Sequence, residues 1–407
     1  MALKVLIAGG GIAGITAALA CLDAGFDIEL YEQAPAFSEV GAGIQIGPNA
    51  ARVMQAIGVG DALAKVATEP DFWEMRLGQI NKNIFRLPLG DQARANYGAP
   101  YYLVHRADFI NVLGDALLAR APEAVHLNST VSGFHQDGDS VTLTLADGRE
   151  TIGDILIGAD GIHSTLRSEL FGAEKPRFTG NVVWRVMLPA TEQLKKIIPD
   201  TMCVWVGPDK HCVTYWLRDG KTLNFVGAVE RDDWDQEGWT EPGPHEDFQD
   251  DFGGWCPPIS AIVDHARDIE CIRWALFDRD PMPEWTDGRV ALIGDACHPM
   301  LPFLAQGAAM GIEDAWFLVQ ALKARTGNIP LALEEYMEAR LPRTSKVQAA
   351  ARARMHSNHE RSVWGQLRTY GPMWLSSRLT PQKFNTRHDW LYKKDIVMET
   401  TEKYGQK

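Results

Sequence analysis

Gly9, Gly11 and Gly14 stand in the spacing G-x-G-x-x-G near the start of the 407-residue chain, and Glu32 follows 18 residues after the last of them. These residues suit the handling of a dinucleotide. The first glycine permits a tight turn, the second admits a pyrophosphate to the backbone, and the third lets a helix pack close to a strand. An acid at the end of the following strand meets ribose hydroxyls and disfavours a 2′-phosphate. Three further sets lie beyond. Asp160-Gly161 and Gly294-Asp295 each close an apolar run, Gln306 precedes Gly307-Ala308, and His211 and Tyr215 sit four residues apart in a Trp-rich stretch.

The elements that must carry these residues can be read around them. Val5–Ala8 is a short apolar strand, Ile15–Ala24 an Ala/Leu-rich helix and Ile28–Tyr31 a second strand, which makes a βαβ unit. The helix start offers N–H groups and partial positive charge to phosphates, with Ala13 in its first turn. A tight turn that binds nothing is the plain alternative. A membrane span over Val5–Leu22 fits poorly, because four of its residues are glycine. Gly41, Gly43 and Gly47 place three glycines in seven residues, which suggests backbone passing close to a flat or bulky group; a surface loop is the alternative. Asn49 is expected to cap a helix Ala50–Ile57. Residues 72–104 read as short strands of an antiparallel sheet. Arg106 opens a helix to about Ala121, where an arginine opposes the helix dipole and so serves something else, a salt bridge or a ligand.

Ser140–Leu145 and Thr151–Ile157 read as strands, the second leading into Asp160. Residues 178–275 alternate in polarity as an antiparallel sheet does. On such a strand His211, Val213, Tyr215 and Leu217 share a face, and His211 and Tyr215 lie roughly 13 Å apart. They either bracket a small aromatic ring or form a polar pair on a sheet surface. Arg289–Ile293 is a buried parallel-type strand, Ala308–Ala324 a helix with an anion-facing start, and Leu331–Met355 one long amphipathic helix. The tail carries Trp364, Trp374 and Trp390 and either packs back on the body or forms a subunit contact.

Composition bounds the class. The chain is 45% hydrophobic and 23% charged, with net charge −13 and pI near 5.3. No Lys/Arg cluster stands out, so nucleic acid and anionic membranes are not expected partners. The N-terminus runs straight into the βαβ unit with no signal peptide, and the six cysteines form no C-x-x-C pair. A cytoplasmic protein with free thiols and no metal site is expected.

Taken in order, Gly9-x-Gly11-x-x-Gly14, Asp160-Gly161 and Gly294-Asp295 resemble the motifs of single-component flavin-dependent aromatic hydroxylases, the p-hydroxybenzoate hydroxylase-like group, over roughly residues 3–345. Gly41–Asn49, Pro70–Trp73, His211–Tyr215, Gly294–Met300, Ala305–Ala308 and Asp389–Tyr392 are most similar to salicylate hydroxylases, 3-hydroxybenzoate 6-hydroxylases and 6-hydroxynicotinate 3-monooxygenases. The resemblance implies an α/β fold: a discontinuous Rossmann-like FAD-binding domain (1–70, 101–177 and 285–330), a mostly antiparallel substrate sheet (71–100 and 178–284) and a C-terminal helical segment (331–407). It implies bound FAD, held by Gly9, Gly11, Ala13, Gly14, Glu32, Gly43, Arg106, Asp160, Asp295, Gly307 and Ala308. It implies a transient NAD(P)H donor, NADH favoured, and hydroxylation of a small hydroxylated aromatic or N-heteroaromatic acid with O2 through a flavin C4a-hydroperoxide, with or without decarboxylation.

His211 would activate the ring hydroxyl, Tyr215 would orient the ring or relay its proton, and Gln306 would bond a substrate hydroxyl or carboxylate. Gln45 also occupies a substrate-side position, but the chain departs from the hydroxynicotinate enzymes there and at Phe303, where those enzymes carry histidines. Gln45 cannot act as a base, which favours a benzenoid hydroxy acid or a pyridine analogue handled differently. Other readings are a same-fold flavin oxidase or reductase, which would consume NAD(P)H and yield only peroxide, and a non-catalytic flavin-binding protein. A monomer or homodimer is expected.

Overall fold

The computed structural model describes residues 2–37, 41–231 and 241–405. The N-terminal βαβ unit forms as the glycine spacing requires. Strand Lys4–Ala8 feeds helix Ile12–Ala24 and strand Asp27–Tyr31 pairs in parallel with the first. The helix starts three residues earlier than its apolar run suggested, because Gly11 serves as N-cap. These strands belong to a six-stranded sheet whose members come from distant parts of the chain: Thr286–Asp287, Val290–Leu292, Ile155–Gly158, Lys4–Ala8, Asp27–Tyr31 and Val125–His126, in spatial order. The cofactor sheet is therefore discontinuous in sequence. Glycine turn, Glu32, Asp160 and Asp295 all follow the carboxyl ends of its parallel strands, where open α/β sheets bind ligands.

The second sheet has eight strands, in the order Glu241–Pro242, Ile272–Asp278, Arg177–Pro189, Thr222–Glu230, Lys210–Leu217, Met202–Gly207, Phe72–Leu77 and Lys82–Pro88. It is antiparallel except where Met202–Gly207 runs parallel to Phe72–Leu77. Period-two alternation sorts its side chains. Cys212 and Trp216 pack with Trp184, Trp205, Phe225 and Phe248 in a core beneath the sheet, whereas Tyr215 and Leu217 join the main core on the cofactor side.

Several local expectations change. Asn49 is not a helix cap: the helix begins at Pro48 after the N-cap Gly47. Asn49 is instead fully buried and donates to Gln306 Oε1 at 3.1 Å and Glu313 Oε1 at 2.7 Å. Within 72–104, Gly90–Tyr97 is a helix and Tyr102–His105 pairs with Gly43–Ile46 in a separate ribbon. The run 151–157 divides at Asp154: Glu150–Gly153 joins a small antiparallel sheet and Ile155–Gly158 the cofactor sheet. Asp154 makes the switch by accepting from Lys4 N–H at 2.7 Å. The long helix spans Ile329–Asn358, with Asn328 as its cap and Pro342 inside it. Beyond it, helices Val363–Leu379, Pro381–Asn385, Asp389–Tyr392 and Ile396–Tyr404 return to the body. No helix among the described residues is long and apolar enough to cross a membrane.

Candidate active site

The glycine turn passes the fit test for a dinucleotide. Gly9 has φ +105°, and a Cβ on Gly14 would run into the Gly9 carbonyl oxygen, so both positions require glycine. A Cβ at Gly11 would meet nothing within 4 Å, which leaves open space beside the helix start. Gly11 adds no side-chain cap, so the first N–H groups of Ile12–Ala24 remain for phosphate oxygens. Glu32 accepts from Gly10 N–H at 2.6 Å and Ala34 N–H at 2.8 Å, which fixes its carboxylate beside the glycine turn. Asp160 Oδ2 caps Leu166 N–H at 3.2 Å, while its buried Oδ1 has no hydrogen-bond partner. The Ala13 Cβ lies 3.1 Å from where a Gly311 Cβ would be and 3.4 Å from where one on Gly294 would be, so the first helix packs closely on helix Gly307–Ala324 and on the Gly294-Asp295 turn.

The other end of the groove is electropositive. Asp295 is solvent-exposed, yet enough protein surrounds it that desolvation raises its carboxyl pKa, with Arg106 opposing. Such a residue lines a cleft. Burial lowers the pKa of Arg106, which faces Asp295. Burial and then Arg106 bring Arg185 down to about 10; its guanidinium lies 4.4 Å from the Trp274 ring centroid. Helix Gly307–Ala324 begins uncapped and without an acid in its first turn. Uncapped N–H groups at that helix start and the two neighbouring cations, Arg106 and Arg185, are each suited to negative charge.

Beside this region is a cavity of about 90 Å³. Its sheet wall is Val183, Met202, Val204, His211, Val213, Val226 and Ala228, each pair two residues apart on one strand, as the pleat demands. Pro302–Ala305 close one side, and Gln45 and Tyr101 another. The remainder comes from the C-terminal helices: Arg354, Asn358, His388, Leu391 and Tyr392, with Trp73 opposite. His211 is 5% exposed and burial holds its pKa well below the ordinary value, so the imidazole is neutral. Arg354 is brought to about 10 by burial; its guanidinium lies 5.5 Å from the Trp73 ring centroid and meets no carboxylate among the described residues.

Sequence-predicted residues divide accordingly. His211 and Gln45 stand in the cavity wall. Tyr215 does not; its ring lies where a Gly43 side chain would be, so the close approach that Gly43 permits is to Tyr215. Burial raises the Tyr215 phenol pKa strongly, against a side-chain hydrogen bond with Gln45, and Gln45 Oε1 accepts from Tyr101 Oη at 2.6 Å. Gln306 is also outside the wall, 1% exposed and bonded to Asn49. Arg185, Asn224, Arg354 and His359 gave no sequence signal. Asn224 lies directly across from Tyr215, and its Oδ1 accepts from Gly43 N–H at 2.8 Å. Arg354 was hidden within an ordinary charged helix pattern.

A discontinuous dinucleotide sheet beside a cavity lined by aromatic, aliphatic and a few polar side chains is the arrangement of a flavin-dependent ring monooxygenase. The family described as FAD binding domain matches residues 2–351, and the chain belongs to it. It is 39% identical to a 6-hydroxynicotinate 3-monooxygenase of Pseudomonas fluorescens over 351 residues, 85% of this chain and 89% of that protein. It is 35% identical to 3-hydroxybenzoate 6-hydroxylase 1 of Aquipseudomonas alcaligenes, over 98% of this chain and 99% of that one. A salicylate hydroxylase substrate complex superposes with TM-score 0.82 at 28% identity, covering 98% and 97% of the two chains. The protein is an FAD-dependent monooxygenase that draws its reducing power from NAD(P)H.

Proposed function

We propose that the cavity holds a small hydroxylated aromatic or N-heteroaromatic carboxylic acid, with its ring hydroxyl on His211 and its carboxylate on Arg354. The observation that carries this reading is a desolvated guanidinium without a carboxylate, in a mostly apolar chamber whose other polar lining is Gln45, Asn358 and the imidazoles of His211 and His388. The relatives named above act, by their names, on hydroxylated aromatic acids, which supports it.

Each group has a task. The Arg354 cation orients the ring by its carboxylate, and Trp73 and Phe303 supply flat apolar surface. Neutral His211 accepts the hydroxyl proton; a phenol has a pKa of roughly 10, and a positioned base contributes ~10²–10⁴-fold. Gln45, held by Tyr101 and Tyr215, supplies a fixed polar edge where a base is absent. The glycine turn, Glu32, Arg106, Asp160, Asp295 and Gly307-Ala308 would hold FAD. When bound and reduced, FAD supplies activated oxygen for insertion into the ring. The apolar walls of the chamber limit water around that chemistry.

NADH is the favoured donor. Sheet membership supports domain limits near 1–70, 101–177 and 285–330 for FAD and 71–100 and 178–284 for substrate, and the helical segment, 331–407, takes in nearly all of the helix Ile329–Asn358. Six free, buried cysteines support a cytoplasmic setting, as a monomer or homodimer. The test is a panel of salicylate, 3-hydroxybenzoate, 4-hydroxybenzoate, 6-hydroxynicotinate and hydroxypicolinates, scored for stimulated NADH oxidation and product mass. At least one acid is expected to give a product heavier by one oxygen, or with CO2 lost. NADH consumption balanced only by peroxide for every acid would refute the reading.

A further inference from the structure

His211 does not stand alone. Its Nδ1 lies 2.6 Å from Nε2 of His359, whose Nδ1 lies 3.0 Å from Oε1 of Glu230. His211 lines the cavity and His359 is buried behind it. The Glu230 side chain is 26% exposed and pairs at 2.7 Å with Arg361, itself 71% exposed. The three groups thus run from the ring-binding chamber to the surface.

Charge and hydrogen-bond chemistry give this row a direction. An ionised carboxylate only accepts, so His359 must donate from Nδ1 to Glu230. Neutral His359 then has a lone pair on Nε2, which receives a proton only from His211 Nδ1. That leaves the lone pair of His211 on Nε2, the nitrogen free to take a proton from a ligand. The tautomers of both rings are therefore set from the surface inward.

We infer that His211, His359 and Glu230 form a proton relay that carries the ring-hydroxyl proton from the cavity to solvent, with His359 as its essential middle member. This rests on the function proposed above. The step balances: the hydroxyl O–H breaks as Nε2–H of His211 forms, Nδ1–H of His211 passes to Nε2 of His359, and Nδ1–H of His359 passes to Glu230, which releases it to water. No electrons are exchanged. The charged neighbours favour this outward direction. Burial, then His359 and Arg354, disfavour a cation on His211. Burial lowers the pKa of His359 as well, but there Glu230 and Asp209 oppose it, an opposition that His211 lacks. Arg361 contacts both Glu230 and Asp209 at the outlet.

The experiment uses the FAD-loaded enzyme, His359→Gln and His359→Ala. Stopped-flow mixing with 3-hydroxybenzoate, salicylate or 6-hydroxynicotinate in weak buffer, with phenol red as indicator, reads proton release on binding. Flavin absorbance reads affinity. The wild type should release a proton as the hydroxy acid binds. In His359→Gln release should slow at least tenfold with affinity within about twofold, and imidazole should restore release in His359→Ala. Such buffer rescue is not expected of a residue that only props His211 in place. Unchanged release in His359→Gln overturns the relay and leaves the substrate reading standing. Binding of no panel acid by the wild type overturns the substrate reading. The relay is then judged without ligand, by ¹H–¹⁵N correlation of histidine-labelled protein. Protonated Nδ1 on both rings supports it, and a proton on Nε2 of His359 overturns it.

Discussion

Replacing Arg354 by methionine removes a charge while keeping most of the apolar stem. No carboxylate among the described residues faces Arg354, so the substitution strands no buried anion and should leave the fold intact. Burial has already stripped much water from the guanidinium, as its pKa of about 10 shows. An incoming carboxylate therefore meets a preorganised cation. Hydrogen bonds to charged groups contribute about 1.5–3 kcal/mol, and each 1.4 kcal/mol is tenfold in Kd. Arg354→Met should weaken 3-hydroxybenzoate binding by about 10- to 150-fold. Phenol, which has the hydroxyl and no carboxylate, should lose no more than about twofold. Titration followed by the flavin spectrum measures both. Equal losses for acid and phenol would mean that Arg354 only shapes the chamber, and no loss for the acid would mean that the carboxylate lies elsewhere.

Other outcomes follow from the same geometry. His211→Asn should lower kcat by ~10²–10⁴ with ligand affinity changed only a few-fold, as read by product formed per NADH; full turnover would remove His211 from the chemistry. Gly14→Ala should give protein that retains no FAD, because the new methyl runs into the Gly9 carbonyl; a yellow variant with native flavin content would contradict the turn's role. Asp314 accepts from His298 and pairs with Arg340 at 2.7 Å. Burial raises its pKa most, but His298 and Arg340 together bring it from an ordinary 3.8 to about 2. A folded value below the unfolded one stabilises above pH 4 and is lost as pH falls toward 2. At 1.36 kcal/mol per unit this is about 2.5 kcal/mol. Melting temperature should drop across pH 5 to 2, and Asp314→Asn should flatten that slope.

The cofactor scaffold was legible because its signals are local. A glycine spacing, an acid at a strand end and apolar runs ending in Asp160 or Asp295 each declare themselves within a few residues. His211 was legible from period-two alternation, which correctly separated its face from that of Cys212 and Trp216. Tyr215 shares that face but not the chamber, because Gly43 brings another strand between them. Asn49 looked like a cap because helix starts favour asparagine; Pro48 at the first helical turn took that place and left Asn49 to tie Gln306 to Glu313. Arg354 and His359 were not legible. Each acts across more than a hundred residues of chain, and nothing in a charged helix marks which arginine turns inward.

The family match ends at residue 351, yet Arg354, Asn358, His388, Leu391 and Tyr392 all help enclose the chamber. Arg354 and Asn358 continue the helix Ile329–Asn358 that the match enters, and the segment beyond is pinned to the body: Arg52 donates to the Tyr392 carbonyl at 2.8 Å and Arg343 to the Leu391 carbonyl at 2.9 Å. Leu391, Tyr392 and Ile396 belong to the main core, so removing the terminal helices should open the chamber and lower the melting temperature together, and a truncation that left stability untouched would show that the terminus is dispensable to the fold.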